Sequence, residues 1–339
     1  MNYIIYKNES ALYYECAYSC DNAIFISLGE EKFFITDGRY EIEAKNSIKD
    51  AKVVISRDIL KETIKIIKKS LIKSINIDPK EWDIFSFEKL KSSLEIKIKY
   101  KPDFSHKKRI IKSKDEIELI KKAVKIGKKS FKKVAKELER LIGAKEYELN
   151  FMAESIFRDF GKREVSFLPI LALDENSAKP HATPTKKRLK SKALILFDAG
   201  VRYKRYCSDR TRTAFFNEGV EFKYNQKFPS KKIQKAYDLV LKAHDRAIKK
   251  ARSGMRAKDI DKIAREVIEK GGFGKYFVHS TGHGVGLDIH EMPYISSKSE
   301  TIIEDGMVFT IEPGIYIEGE FGIRIEDMVV MQDSKAVVL

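Results

Sequence analysis

The sequence predicts a mixed α/β fold in two domains, at residues 1–108 and 109–339. Over the first hundred residues, short apolar runs alternate with amphipathic helical patterns, which is typical of β-α-β units. A polar stretch at residues 99–108 contains Pro102 and is predicted to be a linker. Beyond it, longer helical patterns precede several apolar runs of strand length. The fold class is therefore predicted as α+β, with a small domain before a larger one.

The first domain is predicted from alternating short elements. Strands of β-branched and aromatic residues are separated by helical patterns with a period near 3.6 residues. The predicted elements are two strands in residues 23–36 around a turn at 29–31, a helix ending near Asn46, a strand at 53–55, a helix at 58–70 and a strand at 74–77.

The second domain is predicted to begin with a long helix. Ser113 and Glu116 have the spacing of a capping box, in which each side chain bonds the other residue's backbone N–H. Apolar positions then continue along one helical stripe, at Ile117, Ile120, Val124 and Phe131. Further helices are predicted at residues 146–160, 230–253 and 257–271, with strands and turns up to Phe216 between the first two.

Composition excludes several classes of protein. The net charge is +16, but the lysines spread over helical faces, and the densest cluster, residues 186–192, has no aromatic side chain for base stacking. We therefore expect no specific nucleic-acid partner. No apolar run approaches the roughly 20 residues of a membrane span, so no membrane partner is expected. Three cysteines form neither a disulfide framework nor a zinc pattern, and no signal-peptide pattern is present, which favours a cytoplasmic protein.

Carboxylates at the ends of apolar runs form the candidate site. Asp198 and Glu312 each follow five largely apolar residues, and Glu326 alternates with isoleucines. Ionised carboxylates on buried strands are costly unless they are paired or bound to metal. Asp209, across a predicted hairpin from Asp198, would add to their repulsion. One such residue alone would indicate a structural ion pair, but this group, together with His283, favours a pair of divalent cations such as Mn, Co, Fe or Zn.

The order of these residues resembles that of the pita-bread metallopeptidases, which include methionine aminopeptidases, Xaa-Pro aminopeptidases and Xaa-Pro dipeptidases (prolidases). Residues 280–291 resemble the histidine motif of that family, and residues 36–40 resemble a motif of the small creatinase-like N-terminal domain of Xaa-Pro peptidases. The resemblance implies a pita-bread catalytic domain and two metal ions per subunit, Mn²⁺ first, with Co²⁺, Zn²⁺ or Fe²⁺ also possible. It implies the ligands Asp198, Asp209, His283, Glu312 and Glu326, with Asp209 and Glu326 bridging the ions.

The resemblance also implies roles around the metals. Glu312 would take the proton of the attacking water, while His279 and His290 would bond the scissile carbonyl and stabilise the tetrahedral intermediate. His181, in a loop bounded by prolines, would contact substrate. Arg324 would orient the metal-binding carboxylates and contribute to substrate binding, unless it forms only an ordinary cross-strand ion pair.

The predicted function is that of a metal-dependent exopeptidase that hydrolyses Xaa-Pro bonds at peptide N-termini through a hydroxide activated by two metals. Several dipeptidase relatives have an arginine where this chain has Tyr294, so an Xaa-Pro aminopeptidase is favoured. A prolidase is the second hypothesis, because Arg39 of the partner subunit could supply the cation in a homodimer. The fold would also suit a methionine aminopeptidase or a non-catalytic binding protein, but the N-terminal domain disfavours the former and the intact ligand set disfavours the latter.

Overall fold

The computed structural model describes residues 1–339, which divide into two compact units, Met1–Arg109 and Ile110–Leu339. None of the helices combines the length and the apolar character that a membrane crossing requires. The three cysteines are free and buried. The predicted mixture of helices and sheets is confirmed, and each unit is built around its own sheets.

The first unit contains six strands and five helices. The strands are β1 (Tyr3–Tyr6), β2 (Ala23–Leu28), β3 (Glu31–Thr36), β4 (Lys52–Ile55), β5 (Ser74–Ile77) and β6 (Lys97–Tyr100). The helices are α1 (Glu9–Cys16), α2 (Glu41–Ser47), α3 (Ile59–Lys69), α4 (Ile84–Ser93) and α5 (Phe104–Arg109). The strands form one mixed sheet in the order β4-β3-β2-β1-β5-β6.

Both faces of this sheet are buried, which explains why its central strands are apolar throughout. Ile4 and Tyr6 of β1 pack with residues of α3 and α4, while Tyr3 and Ile5 pack with residues of α1, α2 and α5. Successive side chains of a strand point to opposite faces, so one strand contributes to two separate cores.

One prediction for this unit needs correction, and several elements were not predicted. The stretch predicted to be a linker is structured, since β6 continues to Tyr100 and α5 begins at Phe104. The elements β1 and α1 were not predicted, because four fully buried residues show no alternation and the helix is only eight residues long. Helix α4 was missed because its pattern is weakly amphipathic and leaves Ile84 and Phe85 exposed.

The second unit contains four helices and twelve strands. The helices are α6 (Lys114–Leu138), α7 (Glu146–Arg158), α8 (Lys231–Lys250) and α9 (Ala257–Lys270). The strands are β7 (Ile170–Leu173), β8 (Ala193–Asp198), β9 (Arg202–Tyr203), β10 (Tyr206–Cys207), β11 (Thr211–Phe216), β12 (Gly282–Gly284), β13 (Glu291–Ile295), β14 (Val308–Ile311), β15 (Gly314–Ile317), β16 (Phe321–Arg324), β17 (Asp327–Gln332) and β18 (Lys335–Val338). The predicted capping box at Ser113 and Glu116 is present at the start of α6.

This unit is organised as two halves of similar composition. In the first half, α6 and α7 share a core with the antiparallel sheet β11-β8-β7. In the second, α8 and α9 pack with the sheet β13-β12-β14-β17-β18 and the hairpin β15-β16. Strand ends from both sheets carry the candidate site residues, so the site depends on both halves.

Candidate metal centre

All nine residues singled out from the sequence line one cavity of about 360 Å³ in the second unit. The cavity is also lined by apolar side chains, including Phe167, Leu168, Ile170 and Ile289. The nine residues are Asp198, Asp209, His283, Glu312, Glu326, His181, His279, His290 and Arg324. Residues up to 145 positions apart in the sequence are thus brought to one place.

The first two acidic residues are positioned by adjacent strands. Asp198 is the last residue of β8 and lies opposite Thr211 of β11, while Asp209 precedes β11 by two residues. The intervening turn brings two backbone segments very close together. A Cβ atom on Gly200 would lie 1.8 Å from the carbonyl oxygen of Ser208, so only glycine allows this approach.

The histidine strand is positioned by a second close approach. A Cβ atom on Gly282 would lie 1.9 Å from the carbonyl oxygen of Thr310. The Thr310 hydroxyl accepts a hydrogen bond from the His283 backbone N–H at 3.1 Å and donates to Glu312 Oε1 at 3.2 Å. One threonine therefore links the backbone of the histidine strand to the carboxylate that follows β14.

Four of the five predicted ligands form a tight cluster. Ligand atoms of Asp209, His283 and Glu326 lie within 4.8 Å of one another. His283 Nε2 is 3.3 Å from Glu312 Oε1 and 3.6 Å from Asp209 Oδ2. His283 Nδ1 lies 3.1 Å from the carbonyl oxygen of Gly284, which can only accept. The proton therefore belongs on Nδ1, and Nε2 presents its lone pair to the carboxylates.

The electrostatics of this cluster fit divalent cations. Burial and the nearby carboxylates of Glu326, Asp198 and Glu312 raise the pKa of Asp209 well above its usual range. Burial and the same kind of repulsion raise the pKa of Glu326, and burial raises the pKa of Glu312. Asp198 Oδ1 and Asp209 Oδ1 are buried without a hydrogen-bond partner. Unpartnered carboxylate oxygens beside an imidazole lone pair are the donor set that divalent transition metals prefer.

Arg324 is fixed within the protein. Its guanidinium donates to Asp198 Oδ2 at 2.7 Å, to the Thr211 hydroxyl at 2.9 Å, to the Tyr316 hydroxyl at 2.8 Å and to the Pro180 carbonyl at 3.1 Å. Burial alone would lower the pKa of Arg324, but Tyr316 and the carboxylates raise it well above its usual value. The side chain therefore remains a cation that orients Asp198.

Both ring nitrogens of His279 are engaged by the protein. Nδ1 lies 2.7 Å from the Ser280 carbonyl oxygen, so it carries the proton, and Nε2 accepts from the Tyr316 hydroxyl at 2.9 Å. Burial lowers the pKa of His279, which keeps the ring neutral. The predicted contact between His279 and substrate would require one of these bonds to break. In this structure His279 instead orients Tyr316, and through it Arg324.

His181 and His290 are the exposed histidines of the cavity. The ring of His290 lies 4.2 Å from that of His283, centroid to centroid, and crosses it at 73°. Partial burial, together with the neighbouring His283, lowers the pKa of His290, and burial lowers that of His283 to about 4. Both rings are therefore neutral near pH 7, so His290 can exchange a proton with a bound molecule.

The loop that carries His181 is held by a wholly buried carboxylate. Glu146 accepts hydrogen bonds from the Leu173 N–H at 2.8 Å, the Asn176 amide at 2.9 Å, and both the N–H and the hydroxyl of Thr185 at 2.7 and 2.5 Å. These bonds fix the loop on both sides of His181 without a cation.

A buried ion pair supports the other exposed histidine. Lys112 Nζ donates to Glu291 Oε1 at 2.6 Å, and both side chains are almost fully buried. Glu291 directly follows His290, so this pair fixes the backbone next to it. Asp261 similarly accepts from the hydroxyl and the N–H of Thr281, at the start of the histidine motif.

Several residues of this site were not predicted from the sequence. Thr211 and Thr310 could have been found, because each is two residues from a candidate ligand on a strand and so points to the same face. Tyr316, an uncharged residue on β15, gave no such signal. Glu146 gave no signal, since its partners are backbone and side-chain groups 27 to 39 residues away.

The chain belongs to metallopeptidase family M24, whose family model matches residues 118–333. The Xaa-Pro dipeptidase of Pyrococcus furiosus is 42% identical over 228 residues, which cover 67% of this chain and 62% of that protein. The match thus spans less than two thirds of the length of this relative.

Solved structures resemble the chain over nearly its full length. The Xaa-Pro dipeptidase of Bacillus anthracis has a TM-score of 0.90 at 29% identity, with 99% of this chain and 92% of that chain covered. The X-Pro aminopeptidase of Thermotoga maritima has a TM-score of 0.88 at 30% identity, with 99% and 94% covered. The predicted membership of the pita-bread peptidase family and the predicted fold class are confirmed.

Proposed function

We propose that this chain is a metal-dependent exopeptidase that cleaves the bond between the first residue of a peptide and a proline at the second position. The observation that carries the proposal is the cluster of buried carboxylates with unpartnered oxygens next to the His283 lone pair. Membership of the M24 family and the names of its Xaa-Pro peptidase relatives support the same reaction.

We propose that two divalent cations, Mn²⁺ first, would be held by Asp198, Asp209, His283, Glu312 and Glu326. When bound, such ions supply Lewis-acid activation of water and of the scissile carbonyl. Co²⁺, Zn²⁺ and Fe²⁺ suit the same oxygen-rich set with one imidazole. Metal content of the purified protein, measured after dialysis against each ion, tests how many ions are bound and which ion is preferred.

The other side chains divide the remaining tasks. Glu312 is placed to accept a proton, because its own pKa is raised by burial. His290 is neutral and exposed, so it can donate a hydrogen bond to the carbonyl oxygen as charge develops there. His181 lies in the same cavity, where it can contact the residues that flank the proline. Arg324 keeps Asp198 oriented through its hydrogen bond.

The lining of the cavity favours an aminopeptidase that acts on peptides longer than two residues. Arg324 is the only arginine or lysine that lines it, and its donors are directed at four protein groups. Tyr294 lines the cavity and is 46% exposed. A dipeptide would bring a terminal carboxylate with no free cation to pair with, whereas a longer peptide brings an amide. A dipeptidase is the second candidate, because two of the relatives bear that name.

Steady-state kinetics on Ala-Pro, Ala-Pro-Ala and Ala-Ala-Ala with added Mn²⁺ test the proposal. We expect the highest kcat/KM for Ala-Pro-Ala and little cleavage of Ala-Ala-Ala. In the variant Tyr294→Arg, the ratio of kcat/KM for Ala-Pro to that for Ala-Pro-Ala should rise tenfold or more, since a hydrogen bond to a charged group contributes about 1.5–3 kcal/mol. Faster cleavage of Ala-Pro by the natural chain would make it a dipeptidase. Cleavage of Met-Ala without any activity on Xaa-Pro bonds would overturn the assignment.

We further propose a cytoplasmic homodimer. The three cysteines are unpaired, as is usual in a reducing compartment. Large apolar side chains are exposed in both units, among them Phe85 and Phe160, and a partner subunit could cover them. Light scattering of the purified protein would give a mass near twice that of one chain.

A further inference from the structure

A second cavity of about 770 Å³ lies in the second unit, away from the candidate metal centre. Its walls are formed by one face of α6 and by the segment 220–224, together with Arg210. It shares no lining residue with the cavity that holds the metal-binding carboxylates, and it is about twice as large. Nothing in the proposed peptidase reaction requires it.

The charges that line this cavity are mostly positive. Glu221 forms an ion pair with Lys223, and Lys128 donates to the carbonyl oxygen of Leu339. Lys132 and Lys136, one helical turn apart on α6, are exposed, and Glu139 is the other carboxylate. The five cations are Lys128, Lys132, Lys136, Arg210 and Lys223, against the two carboxylates of Glu139 and Glu221.

Arg210 is the unusual member of this group. Its Nε is buried without a hydrogen-bond partner, and its guanidinium lies 5.2 Å from the centre of the Phe131 ring. The nearby Arg212 donates to both oxygens of Asp327, so that carboxylate is already paired. A partly buried guanidinium whose Nε has no hydrogen-bond partner is costly, and an anion that reached it would be stabilised.

The rest of the wall is apolar and aromatic. Phe131, Ala135, Val220 and Phe222 contribute buried surface, and Tyr224 adds a partly exposed ring. Guanidinium groups bind phosphate through paired N–H donors, and flat rings stack on aromatic side chains. We propose that this cavity binds an organic phosphate, with the phosphate groups at Arg210, Lys132 and Lys136 and a flat or aliphatic portion against the apolar wall.

The fluorescent nucleotide mant-ATP serves as the probe, titrated into the metal-loaded protein. We expect saturable binding that weakens at least tenfold in the double variant Lys132→Gln/Lys136→Gln, whose exposed positions should not affect folding. The matched control is Lys125→Gln/Lys129→Gln, which removes two exposed lysines at the same spacing from α6, outside the cavity. Binding to this control should stay within twofold of that to the natural chain. Arg210→Gln should weaken binding further, provided that circular dichroism shows it to be folded.

Competition separates the parts of the ligand. Inorganic tripolyphosphate should displace mant-ATP, and adenosine should not, because the phosphate groups carry the charge interaction. If both double lysine variants bound mant-ATP equally weakly, the probe would be responding only to the net positive charge of the protein, and the proposal would be overturned. Displacement by adenosine alone, binding unaffected by either pair, or no saturable binding would each overturn it as well.

Discussion

The two units differ sharply in how they bury charge. Residues 1–109 bury only two charged side chains, Asp78 and Arg109. The second unit has about twice as many residues and buries twelve acidic, basic or histidine side chains. These are Lys112, Glu146, Asp198, Asp209, Arg212, His244, Asp261, His283, Glu291, Arg324, Glu326 and Asp327.

Most of the buried charges in the second unit are compensated. Lys112 pairs with Glu291, Arg212 with Asp327, Arg265 with Asp261, and Arg324 with Asp198. His244 is also next to Asp327, with Nε2 3.2 Å from a carboxylate oxygen. Asp209 and Glu326 have no cationic side chain of this kind. The comparison of the two units therefore shows that buried carboxylates without a cationic partner, and not buried charges in general, distinguish the candidate site.

The largest expected effect comes from Asp209→Asn. Loss of this proposed metal ligand should lower kcat by roughly 10³-fold or more, since metal chemistry contributes several kcal/mol to such reactions. Metal content, measured by mass spectrometry, should fall as well. The metal-free variant should unfold at the same or a higher temperature than the metal-free natural chain, because one repelling charge is gone. Asp333→Asn, at an exposed turn, is the control, and a normal kcat for Asp209→Asn would contradict the assignment.

The next largest effect is expected from His290→Ala. Removal of a positioned hydrogen-bonding group should lower kcat by roughly 10²- to 10⁴-fold. Metal content should stay near that of the natural chain, because the His290 ring lies beside the ligand cluster and not within it. His106→Ala serves as the control. If the metal is lost together with activity, His290 is a ligand instead.

A smaller effect is expected from Glu146→Gln. The amide keeps one acceptor but turns an NH₂ group towards donors of the loop, so several bonds weaken. We expect kcat/KM to fall roughly tenfold and the free energy of unfolding to fall by about 1–3 kcal/mol. Faster hydrogen exchange confined to residues 174–185 would identify the loop as the cause. Glu137→Gln, an exposed carboxylate of α6, should change neither quantity.

The smallest effect is expected from Glu81→Gln in the first unit, whose effect on the free energy of unfolding should depend on pH. Burial raises the pKa of Glu81 to about 7. Because the folded state binds this proton more tightly than the unfolded state, the stabilisation is complete below about pH 4.5 and is lost as pH rises through 7. Glu81→Gln should therefore raise the free energy of unfolding at pH 8 by about 1–3 kcal/mol and leave kcat unchanged. Urea unfolding followed through Trp82, the only tryptophan, measures this unit. An equal gain at pH 4 would show that ionisation is not the cause.

The contrast between the units also explains what the sequence could predict. Carboxylates that interrupt apolar runs are visible without a structure, so Asp198, Asp209, Glu312 and Glu326 were found together with His283. Helices α7 and α9 were predicted within two residues of both ends, and the start of α6 was predicted from its capping box, because caps and apolar stripes are local patterns.

Other features depend on contacts that no local pattern records. The roles of Glu146 and Lys112 arise from partners 27 to 179 residues away. His279 Nε2 has a hydrogen-bond partner only because the Tyr316 hydroxyl, 37 residues away in the sequence, lies next to it. The short strand β1 is buried on both faces, so it lacks the alternation by which strands are recognised.

The contact between Gly282 and Thr310 restricts how this sequence can change over time. Any side chain at position 282 would push apart the strand of His283 and the strand that ends before Glu312. A substitution at this one position would then displace two predicted ligands, His283 and Glu312, although neither of them is itself changed. Saturation mutagenesis under selection for activity should therefore find Gly282 as intolerant as the ligands themselves, although it contributes no functional group.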